Sequence, residues 1–284
     1  MQQPRDPRQY RAKGRATVEL DQGRILAARD DIEALQELGL HNLEDAMRFK
    51  RGTLVRDAGP RKTYRVEVDG RTLYVKVHSD VPLRRRLTFF GRGTASPARQ
   101  EWDAISQLRQ FGFDVPEPVA FGESLSAFGS PRRSFMVTRE VAGPQLDDLL
   151  AEGFPDPHGR GERAARDQVL RDVSGMIRRF HGSGFFHRDL YLCHLIVAED
   201  ERWGRPYVID LGRVEQQDRP RRRWLVKDLA ALQHSAPPTV TRADRLRFVL
   251  NYLCKSRLDA RAKRCIRDVI AKAEAIASHQ PKYG

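Results

Sequence analysis

His187-Arg188-Asp189-Leu190-Tyr191-Leu192-Cys193-His194 is the stretch on which the fold turns. It follows an amphipathic segment, Arg163 to His181, and precedes the apolar run Leu195 to Val197, so it reads as a short loop between a helix and a strand. An aspartate on such a loop is placed to accept a proton from an attacking hydroxyl. Asp210 follows 21 positions later, in Ile209-Asp210-Leu211-Gly212, at the end of a second short strand, Tyr207 to Ile209. That interval suits a β-hairpin bringing both aspartates to one mouth, and a carboxylate at a strand's end suits Mg²⁺, which is held through one or two carboxylates plus phosphates.

Upstream, the chain changes character. Gly52 to Arg56, Thr63 to Val68 and Leu73 to Val77 read as strands, the last two joined by Asp69-Gly70, a strong hairpin signal. Lys76 lies in the third strand, among strand formers. A helix follows over Arg99 to Phe111, with Trp102, Ile105 and Leu108 on one face and Gly112 at its end, and it carries Glu101. Lys76 with Glu101 is either a cation braced for a nucleotide phosphate or a snorkelling lysine beside an ordinary helical glutamate; taken alone, the pair favours the second. Val115 to Gly122, broken by Pro116 and Pro118, leads to an apolar strand at Ser134 to Thr138, and Gly143-Pro144 breaks the chain. Beyond it the sequence is mainly helical: Leu146 to Leu150, Arg163 to His181, Val226 to Gln233, and Arg242 to Ser278 in two pieces. The domain plan expected is a helical extension over residues 1–48, a β-rich lobe over 49–141 and an α-rich lobe over 142–284, with ligands favouring the crevice in such a plan.

Any one of these short motifs can arise by accident; the ordered set of Lys, helical Glu, His-Arg-Asp and Asp-x-Gly is far more specific. The set resembles the protein-kinase-like fold and, more narrowly, the bacterial lipopolysaccharide kinase (Kdo/WaaP) family, whose members phosphorylate sugars of the lipopolysaccharide inner core. The narrower resemblance rests on His187 to His194, on Gln100 to Ile105 with its Glu-Trp pair, on Phe121-Gly122-Glu123, on Val208 to Leu211, and on Pro220 to Leu229 with Arg222, Arg223, Trp224, Lys227 and Asp228. It spans roughly residues 50 to 253.

The resemblance implies an α+β, bilobal fold and an ATP- and Mg²⁺-dependent transfer to a sugar hydroxyl. It makes Asp189 the catalytic base, Asp210 the principal Mg²⁺ ligand, and Lys76 a contact of the α- and β-phosphates paired with Glu101. Arg139, Glu140 and Val141 become the hinge whose backbone meets adenine. Arg188, Arg221, Arg222 and Arg223 become acceptor contacts, and Asp228 a structural residue at a helix start that holds the catalytic loop by hydrogen bonds. His194 stands where protein kinases carry an Asn metal ligand; imidazole suits Mg²⁺ poorly, so His194 as a metal ligand competes with roles on a phosphate, on Asp210 or in packing. The segment Arg56 to Lys62 has only Gly59, a thin glycine loop, with Arg61 and Lys62 as compensating charges.

Composition narrows the partners. The 284 residues carry 51 Lys and Arg against 38 Asp and Glu, a formal charge of +13. An anionic core glycan, whose carboxylates and phosphates suit guanidinium forks, gives that charge a use. Arg84 to Arg86 with Phe89-Phe90 combine charge and apolar bulk as a loop touching an anionic inner-membrane surface would. No zinc spacing or RNP-like aromatic strand points to specific nucleic-acid binding. Three cysteines cannot build a disulfide framework, no apolar run nears the roughly 20 residues of a membrane span, and basic Met1 to Arg15 lacks the apolar stretch of a secretory signal, so a cytoplasmic protein is expected. Cys193 is expected to be buried. Two other readings use the same residues: a kinase with a protein or small-molecule acceptor, and a non-catalytic scaffold with a kinase-like fold.

Overall fold

The computed structural model describes residues 16–79, 95–125, 131–153, 161–198, 205–218 and 221–278. The basic loop with Arg84 to Arg86 and Phe89-Phe90, residues 1–15 and Arg219 lie outside them. Contacts divide the chain into two compact units, at Glu140 and Val141.

The first unit is built on a seven-stranded antiparallel sheet. Its strands are β1 (Thr17–Leu20), β2 (Ile25–Ala28), β3 (Thr53–Ala58), β4 (Arg61–Val68), β5 (Arg71–His78), β6 (Pro118–Leu125) and β7 (Pro131–Arg139), in the spatial order β1-β2-β6-β7-β5-β4-β3. The β4–β5 hairpin closes through Asp69 at φ +48° and Gly70 at φ +68°, two successive left-handed residues that match the twist of the flanking strands. Two short helices, α1 (Ile32–Glu37) and α2 (Leu43–Met47), cover one face: Leu35, Leu43 and Phe49 join Val66, Val68, Leu73, Val75 and Val77 in one buried cluster. Strand alternation therefore turns Lys76 to the opposite face, where it lies in one cross-strand row with Met136 of β7 and Phe121 of β6. Helix α3 (Pro97–Gln110) covers that second face, and Trp102 meets Phe121 at 5.2 Å between ring centroids.

Two local expectations change. Residues 17–28, read as part of a helical extension, form two strands of the sheet; four-residue strands are too short to show a period of two. Residues 118–122, read as part of a proline-broken approach, lie in β6, because Pro118 occupies the first strand position, where proline is tolerated.

The second unit is mainly helical: α4 (Leu146–Glu152), α5 (Glu162–Gly182), α6 (Arg222–Ser235), α7 (Arg242–Leu253) and α8 (Ala260–Ala277). Short strands β8 (Phe185–Phe186) and β11 (Glu215–Gln216) pair, as do β9 (Leu195–Val197) and β10 (Pro206–Val208). In α5, Val169, Val173, Ile177 and Phe180 recur at helical spacing and are buried. Gly143 passes so close to β9 that a Cβ would stand 2.1 Å from the Val197 carbonyl oxygen, so only glycine fits there at φ +139°. Among the described residues, no helix is long and apolar enough to cross a membrane.

Candidate active site

In the first unit, the Lys76 ammonium meets Glu101 Oε1 at 2.5 Å. Both side chains are largely buried, so each ion stabilises the other where an unpaired charge would be costly. Arg139 and Glu140, expected at the hinge, are committed to the sheet: the Arg139 N–H donates to the Glu117 carbonyl and the Glu140 N–H to the Thr72 carbonyl, each at 2.9 Å. Their side chains are held too. Arg139 pairs with buried Asp31 at 2.6 Å, and Glu140 accepts from Arg65 at 3.0 Å and from the Tyr74 hydroxyl at 3.2 Å. The Arg65 guanidinium keeps the Glu140 carboxyl below its ordinary range. The thin glycine loop is a two-residue turn, Gly59-Pro60, between β3 and β4, braced by the Gly59 N–H on Asp57 Oδ1 at 3.1 Å and by Lys62 on Asp57 at 3.3 Å.

In the second unit, the loop after β8 is gripped from below. Asp228 is fully buried in the middle of α6, not at a helix start, and its carboxylate accepts the His187 N–H at 2.8 Å and the Arg188 N–H at 2.7 Å. His181 Nε2 lies 3.3 Å from the same carboxylate, while its Nδ1 meets the Tyr252 hydroxyl at 2.8 Å. Arg188 is thereby held at φ +70°, an uncommon conformation for a side chain of its size.

Three contacts stitch this loop to the one carrying Asp210. His187 Nε2 donates to the Ile209 carbonyl at 2.9 Å; a carbonyl has no proton to give, so that nitrogen carries the hydrogen. Burial holds the His187 imidazole below its ordinary pKa, in its neutral form. The Ile209 N–H donates to the His194 carbonyl at 2.9 Å. By the same reasoning His194 Nδ1 donates to the Asp189 carbonyl at 2.8 Å, which leaves Nε2 facing Asp210 Oδ2 at 3.6 Å. Asp210 itself is left-handed, φ +55° and ψ +57°, just before a 3₁₀ turn over Leu211–Arg213.

The Asp189 carboxylate has a cation on each oxygen. Arg213 reaches Oδ2 at 2.6 Å and Lys227 reaches Oδ1 at 3.5 Å. Neither cation has a role legible in the sequence: Arg213 lies in no motif, and Lys227 stands only within the block Pro220 to Leu229. The available signal was the spacing Trp224, Lys227, Asp228, which places three residues on one face of a helix. Of the expected acceptor arginines, Arg188 and Arg223 both lie over the Trp224 ring, each with its guanidinium carbon 4.5 Å from the centroid. Arg188 also pairs with Glu215, Arg222 pairs with Asp268 of α8, and Arg221 is exposed at the start of α6. Cys193, expected to be buried, is only partly so.

A sequence model of the lipopolysaccharide kinase (Kdo/WaaP) family matches residues 44–252. The chain belongs to that family. It is 32% identical over 290 residues to the lipopolysaccharide core heptose(I) kinase WaaP of Pseudomonas aeruginosa, covering 92% of this chain and 95% of that protein. The enzyme of the same name from Escherichia coli is 31% identical over 209 residues, covering 71% and 77%. A solved structure described as WaaP in complex with acyl carrier protein superposes with a TM-score of 0.63 at 29% identity, over 92% of this chain and 98% of that one. The chain is thus an ATP-using phosphotransferase of the Kdo/WaaP family with the expected α+β, kinase-like fold.

Proposed function

We propose that this enzyme transfers the γ-phosphoryl group of ATP to a hydroxyl of the first heptose of the lipopolysaccharide inner core. The observation that carries this reading is the loop presenting Asp189, clamped by buried Asp228 and stitched to the turn bearing Asp210. The names of the related kinases supply the acceptor.

Asp189 is the base. As the acceptor oxygen bonds to the γ-phosphorus, the bond from that phosphorus to the bridging oxygen breaks with its electron pair leaving on ADP, and the hydroxyl proton passes to the Asp189 carboxylate. Lys76, steadied by Glu101, contacts the α- and β-phosphates. Because the Arg139 and Glu140 N–H groups are spent within the sheet, Val141 is the hinge residue left to donate to adenine. Arg188, Arg221 and Arg223 contact the anionic acceptor, with Trp224 as the plate on which two of them are ordered.

No cluster of three or more potential metal-binding side chains occurs among the described residues. The single partly exposed carboxylate of Asp210 fits Mg²⁺, which takes few protein carboxylates and completes its shell with phosphate oxygens and water. Asp210 would hold it, and the ion when bound would neutralise phosphate charge. His194 is assigned instead to spacing the loops of Asp189 and Asp210, since a nitrogen donor suits Mg²⁺ poorly.

The acceptor is membrane-derived, and the +13 charge favours an anionic cytoplasmic leaflet, so work at the inner face of the cytoplasmic membrane follows. The acyl carrier protein named with the solved relative is carried over as a partner, which the sequence did not suggest. In its support, the helical unit holds an apolar cavity of about 630 Å³, lined by residues such as Leu150, Val173, Leu229, Val249 and Ile266. A thermal shift with acylated but not apo carrier protein is expected; no shift with either removes this partner.

The central test is Mg²⁺-dependent ADP release with inner-core oligosaccharide lacking the heptose phosphate, the product mapped by mass spectrometry. Asp189→Ala is expected to lower turnover by about 10³-fold, within the range for losing a general base. Undiminished release rejects the assigned base.

A further inference from the structure

Helix α6 turns three side chains of one face, Trp224, Lys227 and Asp228, toward the catalytic loop. Two of them act on that loop in recognisable ways: Trp224 carries the Arg188 guanidinium, and Asp228 fixes the backbone of His187 and Arg188. Lys227, between them in sequence, points its ammonium at Asp189 Oδ1.

We propose that Lys227 is a positioning residue of the transfer step, one that fixes which way the Asp189 carboxylate faces. The inference rests on Asp189 being the base. A carboxylate turns about its Cβ–Cγ bond unless both oxygens are held. Arg213 holds Oδ2 from an exposed position, its side chain 57% accessible, so water competes for that bond. Lys227 is 26% accessible and faces Oδ1 at 3.5 Å from a partly desolvated site, where its charge is less screened by water. Burial pushes the Lys227 ammonium below the ordinary lysine range; Asp189 pulls it back up, and Arg213 and Arg188 push it down again. An amine held in that field loses more by separating from Asp189 than a solvated one does. The loop offers no lysine of its own, since Tyr191 and Cys193 are the next polar side chains after Asp189 and before His194. Orientation of the base, not affinity for either substrate, is what this cation supplies. A base displaced by about 1 Å costs on the order of 10²-fold in rate.

The test compares Lys227→Met, Lys227→Arg, Asp189→Ala and the Met/Ala double variant, with ATP and the same core oligosaccharide. Lys227→Met is expected to lower kcat by about 10²-fold while KM for ATP and for the oligosaccharide stays within about threefold. Lys227→Arg is expected to recover at least about a tenth of the native kcat, because a guanidinium keeps the charge but not the reach. The double variant is expected to match Asp189→Ala alone, as a residue acting through Asp189 has nothing left to position. A Lys227→Met enzyme with native kcat, or one whose loss multiplies that of Asp189→Ala, overturns the proposal. Turnover surviving in Asp189→Ala instead overturns the assignment of the base, a separate outcome. If Lys227→Met melts early, Lys227→Gln is judged by the same criteria.

Discussion

The Asp228 carboxylate accepts the backbone N–H of Arg188 at 2.7 Å, and Arg188 keeps a left-handed backbone at φ +70°. A buried anion and a strained loop residue thus stabilise each other. Asp228 is fully buried and its compensation comes from two loop N–H groups and His181, so Asp228→Ala strands those donors. A loss of about 3 kcal/mol or more in unfolding free energy is expected from breaking such a buried arrangement. Urea denaturation followed by circular dichroism measures it; a native midpoint refutes the clamp.

The Lys76–Glu101 pair predicts a different pattern. Both partners are largely buried at 2.5 Å, so Glu101→Gln leaves a buried ammonium facing a neutral amide. The ammonium then sits less firmly against the phosphates, and KM for ATP is expected to rise by about tenfold, with the acceptor KM unchanged. Steady-state kinetics in both substrates decide it, and a change confined to the acceptor KM would reject the nucleotide-side role.

Where the sequence was legible, local chemistry decided the structure. Asp69-Gly70 could be read because both turn residues must adopt positive φ, and they do. Helix α3 could be read from Trp102, Ile105 and Leu108, though it starts at Pro97, two residues early, because Ser96 caps it through the Arg99 N–H at 3.1 Å. The resemblance implies Asp228 near a helix start, and hydrophobic periodicity does not correct it, because the arginine-rich first turn, Arg222 and Arg223, hides four helical residues. Within the site, the acidic residues announce themselves by motif. The cations on Asp189 do not, because Arg213 and Lys227 reach it only through tertiary packing across 24 and 38 positions of chain.

Asp103, two residues beyond Glu101 on α3, gives the first unit a pH dependence. Burial raises its carboxyl to about 6, with Arg99 opposing and Glu123 adding to the rise. The folded state therefore binds this proton more tightly than the unfolded chain, whose carboxyl titrates near 3.8. The sign follows: stability is greatest below that unfolded value and falls as pH rises through 6, by on the order of 3 kcal/mol for a shift of this size. Asp103→Asn removes the penalty, so the variant is expected to melt above the native protein at pH 7.5 and nearly level with it at pH 3.5, below the unfolded value. Equal melting temperatures at pH 7.5 would contradict the burial argument.

His194 offers the sharpest division between holding a metal and holding a carboxylate. Its Nδ1 hydrogen is spent on the Asp189 carbonyl at 2.8 Å, and Nε2 stands 3.6 Å from Asp210 Oδ2. A residue bonded to the backbone of one aspartate and facing the side chain of the other spaces the two loops. Asn is shorter than imidazole, and His194→Asn cannot span both partners, although it supplies the amide oxygen that Mg²⁺ accepts as a ligand. If His194 were a ligand, that variant would keep the native Mg²⁺ requirement and most of its activity. If His194 is a spacer, turnover is expected to fall by about 10²-fold at saturating Mg²⁺, and Asp210→Asn, which removes the carboxylate charge, is expected to shift the half-maximal Mg²⁺ concentration upward. Titrating Mg²⁺ against turnover for both variants separates the cases: a lowered plateau in His194→Asn marks a spacer, a native curve in that variant marks a ligand, and Asp210→Asn shows what loss of the principal ligand does to the midpoint.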